Sequence, residues 1–355
     1  MDGLTTICRN AVVEMGPTET SAWNRIMQEL ESAKQLVNVE NVLSCFRIKI
    51  DALGGDETLL SLSRGQLQMI ERKICSVIAK TVIPAEETIP PHIPHDDFAL
   101  WVRRVNRTAP IEVFTTNYDV LLERSLEGIR VPVFDAFVGA HHPFFFPDCL
   151  DDESLLPSSV WVRLWKLHGS VNWSIENGTR GKQIIRTQPS ETGEMILPSN
   201  RKYDESRKQP YVAFMDRLSR ILSSEHAFLI TCGYGFGDEH INAILYNALD
   251  NRSTNIVALQ FEELVEEAKL AKIASQRPNL TIMAPNAGLI SGLFGTWRLA
   301  QPVENKTHSF MDIAFDSNAS IEQEGSTTSV ESDLTGKLRL GDFKWFCQFL
   351  TLLGV

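Results

Sequence analysis

The sequence predicts an α/β fold, a parallel sheet with helices on both faces, preceded by a helical N-terminal region. Three observations predict it. First, three apolar runs each end abruptly in a polar or glycine cluster: Ile111-Glu-Val-Phe-Thr-Thr-Asn-Tyr-Asp119, Val162-Arg-Leu-Trp-Lys-Leu-His-Gly-Ser170 and Ala227-Phe-Leu-Ile-Thr-Cys-Gly-Tyr-Gly-Phe-Gly-Asp238. Second, helix-like sequence follows the first and third runs, and strands alternating with helices imply a parallel sheet. Third, the chain before residue 105 shows apolar residues at helical spacing.

In chain order, residues 19 to 82 read as mostly helical. Trp23, Ile26, Met27 and Leu30 form one helical face, with Thr18 or Thr20 as its cap, and Leu67, Ile70, Ile74, Val77 and Ile78 form another. Asp51-Ala-Leu-Gly-Gly-Asp56 separates them. Pro84 to His95 carries four prolines and reads as a loop, and Phe98 to Val105 as one more helix. The α/β pattern then begins. Ile111 to Phe114, Pro132 to Phe137 and Val160 to Leu167 are expected strands, with a helix starting at Val120 to Leu126. His142 to Ser159 is irregular, and Gln183 to Pro198 includes a β-like stretch, Glu194 to Leu197. Val212 to Leu222 is a helix, Ala227 to Cys232 a strand and Asp238 to Leu249 a helix. Asn255 to Gln260 and Leu280 to Met283 are strands flanking a helix over Glu262 to Ala274.

Residues 302 to 336 are rich in Ser, Thr, Glu and Asp and read as a linker. Beyond it, Phe346, Phe349, Leu350 and Leu353 fall on one helical face. Packing back on its own domain is the favoured use of that face, assembly the other. The expected organisation is a helical region over 1–105, the α/β domain over 106–300, an acidic linker over 301–336 and a C-terminal helix over 337–355.

Composition narrows the function. At 355 residues, 43% hydrophobic and 22% charged, the chain has the profile of a globular protein with a sizeable core. The net charge of −11 and pI of about 5.3 argue against direct nucleic-acid binding, which needs a basic footprint. The Lys/Arg-rich stretch Arg201 to Lys208 is interrupted by an acidic pair and reads as a solvated loop. Six cysteines are scattered without a Cys-X-X-Cys pair, so neither a disulfide framework nor a zinc ribbon is expected. His141 and His142 near Cys149 read as loop histidines. No secretory signal is visible and no apolar run approaches the roughly 20 residues of a membrane span, so no membrane partner and a cytoplasmic location are expected.

The three polar clusters carry the candidate chemistry. In a parallel α/β sheet, ligands bind beyond the carboxyl ends of the strands. That places Asn117, Asp119, His168 and Asp238 in one expected crevice. Asn117 and Asp119 at a strand-to-helix turn have two readings. They cap the helix, the stronger reading for the turn taken alone, or they hydrogen-bond ribose hydroxyls or a carboxamide. His168 is a structural histidine or a general base, for which its ordinary pKa near neutrality suits it. Gly169 permits close backbone approach. The glycine-rich turn Gly233-Tyr-Gly-Phe-Gly-Asp238 can cradle a phosphate or ribose at a helix N-terminus, though it is not the Gly-X-Gly-X-X-Gly fingerprint. Asp238 is alternatively just the cap of the helix that follows.

Together, Thr115-Thr-Asn-Tyr-Asp119, Lys166-Leu-His-Gly-Ser-Val-Asn-Trp173 and Gly233-Tyr-Gly-Phe-Gly-Asp-Glu-His-Ile-Asn242 resemble the bacterial sirtuin-like family over roughly residues 110 to 285. The resemblance implies a Rossmann-like domain. It is nearest the anti-phage defence branch, whose members hydrolyse NAD, and the tail Gly336-Lys-Leu-Arg-Leu-Gly-Asp-Phe-Lys-Trp-Phe-Cys347 is similar to members encoded beside a HerA-type ATPase.

By that resemblance, Asn117 sits at the nicotinamide ribose and helps hold the attacking water. Asp119 lies at the nicotinamide end, and His168 acts on a ribose hydroxyl or the water. Thr115, Thr116, Gly169, Ser170, Gly233, Tyr234, Gly235 and Asp238 line the dinucleotide, with the glycine turn along its adenosine half. Many relatives carry Ser where this chain has Gly235.

The implied activity is cleavage of NAD to nicotinamide and ADP-ribose, as a cell-suicide effector against phage. No metal is required. Because uncontrolled NAD loss kills a cell, gating by a homo-oligomer or a HerA-type ATPase ring is expected. The four-cysteine zinc module of protein-deacylating sirtuins is missing, which disfavours an NAD-dependent deacylase. Relatives also open with a strand and a Gly-Ala-Gly-X-Ser turn that holds the pyrophosphate, and nothing before residue 110 matches it. An upstream segment is therefore expected to be missing, and a non-catalytic NAD or ADP-ribose sensing module stands as the other alternative.

Overall fold

A computed structural model describes residues 3–35, 37–54, 57–83, 88–178, 181–189, 210–297, 310–316 and 336–353. Apolar side chains at helical spacing build the N-terminal layer: α1 (Gly3–Val13), α2 (Pro17–Ser32), α3 (Val39–Ala52), a short hairpin of β1 (Thr58–Leu59) and β2 (Leu62–Ser63), and α4 (Arg64–Val82). Trp23, Ile26 and Leu30 of α2, Leu43 and Phe46 of α3, and Leu67, Ile70, Ile74 and Ile78 of α4 form one buried cluster. Neither Thr18 nor Thr20 caps α2. Pro17 opens the helix behind Gly16, and the Thr20 hydroxyl donates to the Gly16 carbonyl at 2.7 Å. Asn38 caps α3, and a Ser63–Gln66 capping box starts α4. Apolar spacing does not announce α1, because its buried stripe is Thr5, Cys8 and Val12, small and partly polar.

Helix α5 (Pro94–Arg104) begins inside the expected proline loop, with Pro94 at its first position, acids in its first turn and arginines in its last. After it come β3 (Ile111–Thr115), α6 (Leu121–Gly128), β4 (Val133–Phe134), β5 (Phe137–Val138), β6 (Phe144–Phe145), α7 (Asp148–Asp151), β7 (Val162–Lys166), β8 (Trp173–Gly178), β9 (Gly181–Arg186), α8 (Tyr211–Leu222), β10 (Phe228–Cys232), α9 (Glu239–Ala248), β11 (Asn255–Leu259), α10 (Lys269–Ser275), β12 (Leu280–Met283), β13 (Ala287–Ile290), β14 (Leu293–Thr296), α11 (Phe310–Ala314), β15 (Phe315–Asp316), β16 (Lys337–Leu338) and α12 (Phe343–Leu353).

Parallel pairing, the expected α/β signature, joins β3, β7 and β4 in the order β3-β7-β4, and β10, β11 and β12 in another sheet that β13 and β14 extend antiparallel. The expected strand over Pro132 to Phe137 is instead two short strands in different sheets, because Ala136 at φ 65° turns the chain between them. Residues 262–268 are not helical, and α10 begins only at Lys269. Part of the expected linker is ordered: α11 and β15, the latter paired antiparallel with β16. The β-like stretch at Glu194 to Leu197 lies outside the described residues, as does the basic stretch at Arg201 to Lys208.

The chain divides into two compact units. One comprises Met1–Pro90, Ala109–Arg124 and Pro132–Phe214; the other comprises Pro91–Thr108, Ser125–Val131 and Met215–Val355. In the first, an aromatic cluster of Phe145, Trp165, Trp173 and Phe214 packs beneath the β3-β7-β4 and β5-β6-β9-β8 sheets, with ring centroids 5.3 to 6.0 Å apart. In the second, α12 packs on α5. Cys347 and Leu350 are buried, and Phe343 lies 5.0 Å from the His95 ring. The apolar face of the C-terminal helix is thus used within its own unit.

Candidate functional site

In the first unit the candidate residues follow from strand register. β3 and β7 are parallel neighbours with Thr115 opposite Lys166, and the Leu167 amide extends the ladder to the Thr115 carbonyl at 2.8 Å. Asn117 and His168 therefore each stand two residues past the last in-register pair, on strands about 4.8 Å apart. The structure brings the two together with Thr116, Asp119, Gly169 and Ser170 at one sheet end. Asn117 is exposed, and its amide donates to the Thr115 hydroxyl at 3.1 Å. His168 is only 5% exposed. Its ring lies 6.4 Å from that of Tyr118, and its carbonyl accepts from the Tyr211 hydroxyl at 3.5 Å. Gly169, at φ 93°, supplies the left-handed turn after it.

Asp119 does what the capping reading expects: its Oδ1 accepts from the Leu121 amide at 2.9 Å at the start of α6. The turn that carries it is tied down from below by Lys166, a residue the sequence reading passed over. Lys166 is 2% exposed, and its ammonium donates to the Asp119 carbonyl, to Glu123 Oε1 at 3.0 Å and to the Ser170 hydroxyl at 2.9 Å. Burial pushes the Glu123 carboxyl above its ordinary range, and the Lys166 charge opposes that rise. Ser170 is buried, and its hydroxyl donates to the Tyr118 carbonyl at 3.4 Å while the Val171 amide donates to the same carbonyl at 3.0 Å. Tyr118 and Val171, which flank the functional positions, are sunk in the core of the α1–α4 layer. The helical region is thus the floor on which both site turns rest.

In the second unit, β10 and β11 are parallel neighbours with Cys232 opposite Leu259, and the Gly233 amide donates to the Leu259 carbonyl at 3.0 Å. Gly233 turns at φ 67°. A pocket of about 410 Å³ opens beyond these strand ends, lined by Gly233, Tyr234 and Gly235, by Gln260, Phe261 and Glu262, and by Gly341, Asp342 and Phe343. Gln260 Nε2 donates to the Tyr234 carbonyl at 2.9 Å. Gly341 packs so closely that a Cβ there would fall 1.8 Å from the Gln260 carbonyl oxygen. Phe261 stays 65% exposed at the rim.

Asp238 caps α9, its Oδ1 accepting from the His240 amide at 2.8 Å and the Ile241 amide at 3.1 Å. The Tyr234 hydroxyl donates to Asn242 Oδ1 at 2.9 Å. Burial, and secondarily the Asp238 charge, raise its pKa well above the ordinary phenol range. Both side chains brace the glycine turn. Gly235 leaves open space, since a Cβ there would meet nothing within 4 Å.

The sequence reading missed the 260–262 and 341–343 walls. The signal available was an acid and an aromatic just past a strand, at Phe261-Glu262. For the C-terminal wall there was none, since a glycine after a predicted linker says nothing about where it docks.

Comparison with curated proteins finds no match. Comparison with protein-family models does: residues 111–280, which span β3 through the start of β12 and include every candidate site residue named above from the sequence, match the SIR2-like domain, a Rossmann-like domain of NAD-dependent enzymes.

Proposed function

We propose that the chain is an NAD glycohydrolase that cleaves NAD to nicotinamide and ADP-ribose. The observation that carries this reading is the register of β3 and β7, which sets an exposed Asn117 and a buried His168 at equal offsets past one parallel sheet end, inside a SIR2-like domain.

Cleaving the nicotinamide–ribose bond develops positive charge on the ribose in an oxocarbenium-like transition state. Asp119 contributes negative charge at that end, and the side-chain carbonyl of Asn117 contributes a dipole and a contact to the attacking water. His168, shielded from bulk water, takes the proton from the water or a ribose hydroxyl. Gly169 and Ser170 shape the turn against which the nicotinamide ribose sits, with Thr115 and Thr116 beside it. Gly233, Tyr234 and Gly235 cradle the adenosine half. Action as a cell-suicide effector against phage, gating by self-assembly and association with a HerA-type ATPase ring complete the proposal.

The test is nicotinamide release from NAD by the purified chain, alone and with the candidate ATPase, beside Asn117→Ala and His168→Ala. Release by the wild-type chain that falls at least about 100-fold in both variants, with folding retained, supports the assignment. Full hydrolysis in both variants refutes it.

A further inference from the structure

We infer that Asp135 and Arg186 are positioning residues for His168, because their ion pair ties the end of β9, and through it the far end of the 168–172 turn, to the sheet that carries the histidine. The inference rests on the proposed hydrolase reading and adds to it two residues that sit on neither β3 nor β7.

The turn that begins at His168 is held at Ser170 and again at Asn172. The Ser170 hydroxyl accepts from the buried Lys166 ammonium at 2.9 Å. The Asn172 carbonyl accepts from the Thr187 amide at 2.7 Å. The first anchor stands on β7 itself. The second follows β9, which belongs to the β5-β6-β9-β8 sheet. It therefore fixes the turn only as firmly as the end of β9 is fixed to the β3-β7-β4 sheet.

Asp135 makes that connection. It directly follows β4, the parallel neighbour of β7, and is 6% exposed. Its Oδ1 accepts from the Phe137 amide at 3.1 Å, and its Oδ2 accepts from Arg186 Nη1 at 2.7 Å. Arg186 is the last residue of β9 and the neighbour of Thr187. Its amide donates to the Pro143 carbonyl at 2.9 Å, and its guanidinium lies 5.9 Å from the Phe137 ring. Burial raises the Asp135 carboxyl above its ordinary range, and the Arg186 charge opposes that rise. Glu123, raised first by its own burial, also feels the Asp135 charge. Lys166, Glu123, Asp135 and Arg186 thus alternate in sign and run from one anchor of the turn to the other. An ion pair with a desolvated carboxylate adds little net stability, because desolvation offsets the attraction. What this pair contributes is the place of the β9 end, and a catalytic group misplaced by about 1 Å loses up to about 100-fold in rate.

The experiment combines nicotinamide release with the histidine ring proton resonances of the full chain, the His168 signal being the one lost in His168→Ala. Arg186→Met keeps the side-chain length and removes the pair. It is expected to lower kcat about 10-fold with KM within about threefold, and to shift the His168 signal. Arg186→Lys is expected to bring kcat back to within about threefold of wild type and to return the signal, because the pair uses one guanidinium nitrogen and an ammonium can replace a single donor. Asp135→Leu/Arg186→Met removes both charges and strands neither, so it is expected to fold while keeping the loss of kcat and the shifted signal.

An unshifted His168 signal in the folded Arg186→Met or double variant, kcat within about twofold of wild type in either, or Arg186→Lys no better than Arg186→Met overturns the inference. Nicotinamide release by the wild-type chain with an unshifted signal in the variants defeats this inference alone. A shifted signal that Arg186→Lys restores, in a chain that releases no nicotinamide, upholds the positioning and defeats the hydrolase reading alone.

Discussion

Replacing Lys166 by Met tests whether the buried ammonium, more than the backbone ladder, fixes the candidate site. Met keeps the length of the side chain and removes its charge and all three hydrogen bonds, to the Asp119 carbonyl, to Glu123 and to Ser170. It also strands Glu123, whose side chain is 15% exposed and whose second carboxylate oxygen is already buried without a partner. Breaking a buried ion pair on one side costs about 3–5 kcal/mol, a large share of the roughly 5–15 kcal/mol that holds a domain folded. Replacing both partners removes the stranded charge, so Lys166→Met/Glu123→Leu is expected to recover at least half of that loss.

Urea denaturation of the two variants measures the stability, and nicotinamide release measures the site. Activity is expected to stay low in both, because the Asp119 carbonyl and Ser170 lose their tether either way. The loss in the single variant also depends on pH. Burial raises the Glu123 pKa in the folded state, so the folded state holds a proton that the unfolded chain has released. Stability of Lys166→Met therefore falls as pH rises from the ordinary carboxylate range through the raised value. A single variant as stable as wild type, or a double variant less stable than the single, would refute the reasoning.

Four further outcomes are expected. Tyr118→Ala opens a cavity in the α1–α4 core beneath the site turns and costs about 3–5 kcal/mol in thermal or chemical denaturation; a cost below about 1 kcal/mol would show that the helical layer does not support the turn. Asp119→Asn keeps the α6 cap and removes the charge, so stability stays within about 0.5 kcal/mol while kcat for NAD falls; unchanged kcat would reduce Asp119 to a cap. Gly235→Ser fits without strain, since a Cβ there meets nothing within 4 Å, and its hydroxyl is expected to lower KM for NAD; a raised KM would count against a ligand at that turn. Gly341→Ala drives a Cβ into the Gln260 carbonyl and is expected to destabilise by at least about 1–3 kcal/mol and to speed trypsin cleavage between 310 and 353; unchanged cleavage would mean the segment docks otherwise.

The strands and turns that carry the candidate site were legible because their signals are local. An apolar run that ends in Thr-Thr-Asn or Lys-Leu-His has one natural reading in a parallel sheet, and β3, β7, β10, β11 and β12 lie within a residue or two of their expected bounds. What was not legible depends on contacts distant in sequence. Lys166 reads as the polar end of a strand, and only the fold reveals it 2% exposed against Glu123, 43 residues earlier. The short strands β5 and β6 hide in a Phe- and Pro-rich stretch, and in the β8–β9 hairpin the Asn177-Gly178 pair lies within the paired strand, opposite Lys182 and Gly181, and not between the strands where such a pair marks a tight hairpin. The helix expected from Glu262 starts only at Lys269, because the Leu264 amide and carbonyl are both taken by the Asn286 side chain, at 2.8 and 3.0 Å, and Val265 is 59% exposed.

Capping and chemistry are rival readings at one acidic turn and compatible at the other. At Asp238 a single carboxylate oxygen takes two amides of α9, and the neighbouring Tyr234 hydroxyl is held by Asn242. A ligand at this turn would meet chiefly glycine backbone. At Asp119 the cap uses one amide, and the carboxylate stands two residues from Asn117. A helix cap of this kind fixes the orientation of an anion as well as the start of a helix. Because Lys166 holds the backbone of the same residue, the proposed hydrolase would not have to find the position or direction of that carboxylate anew as a cationic ribose developed, the condition under which a fixed charge stabilises a transition state more than water does.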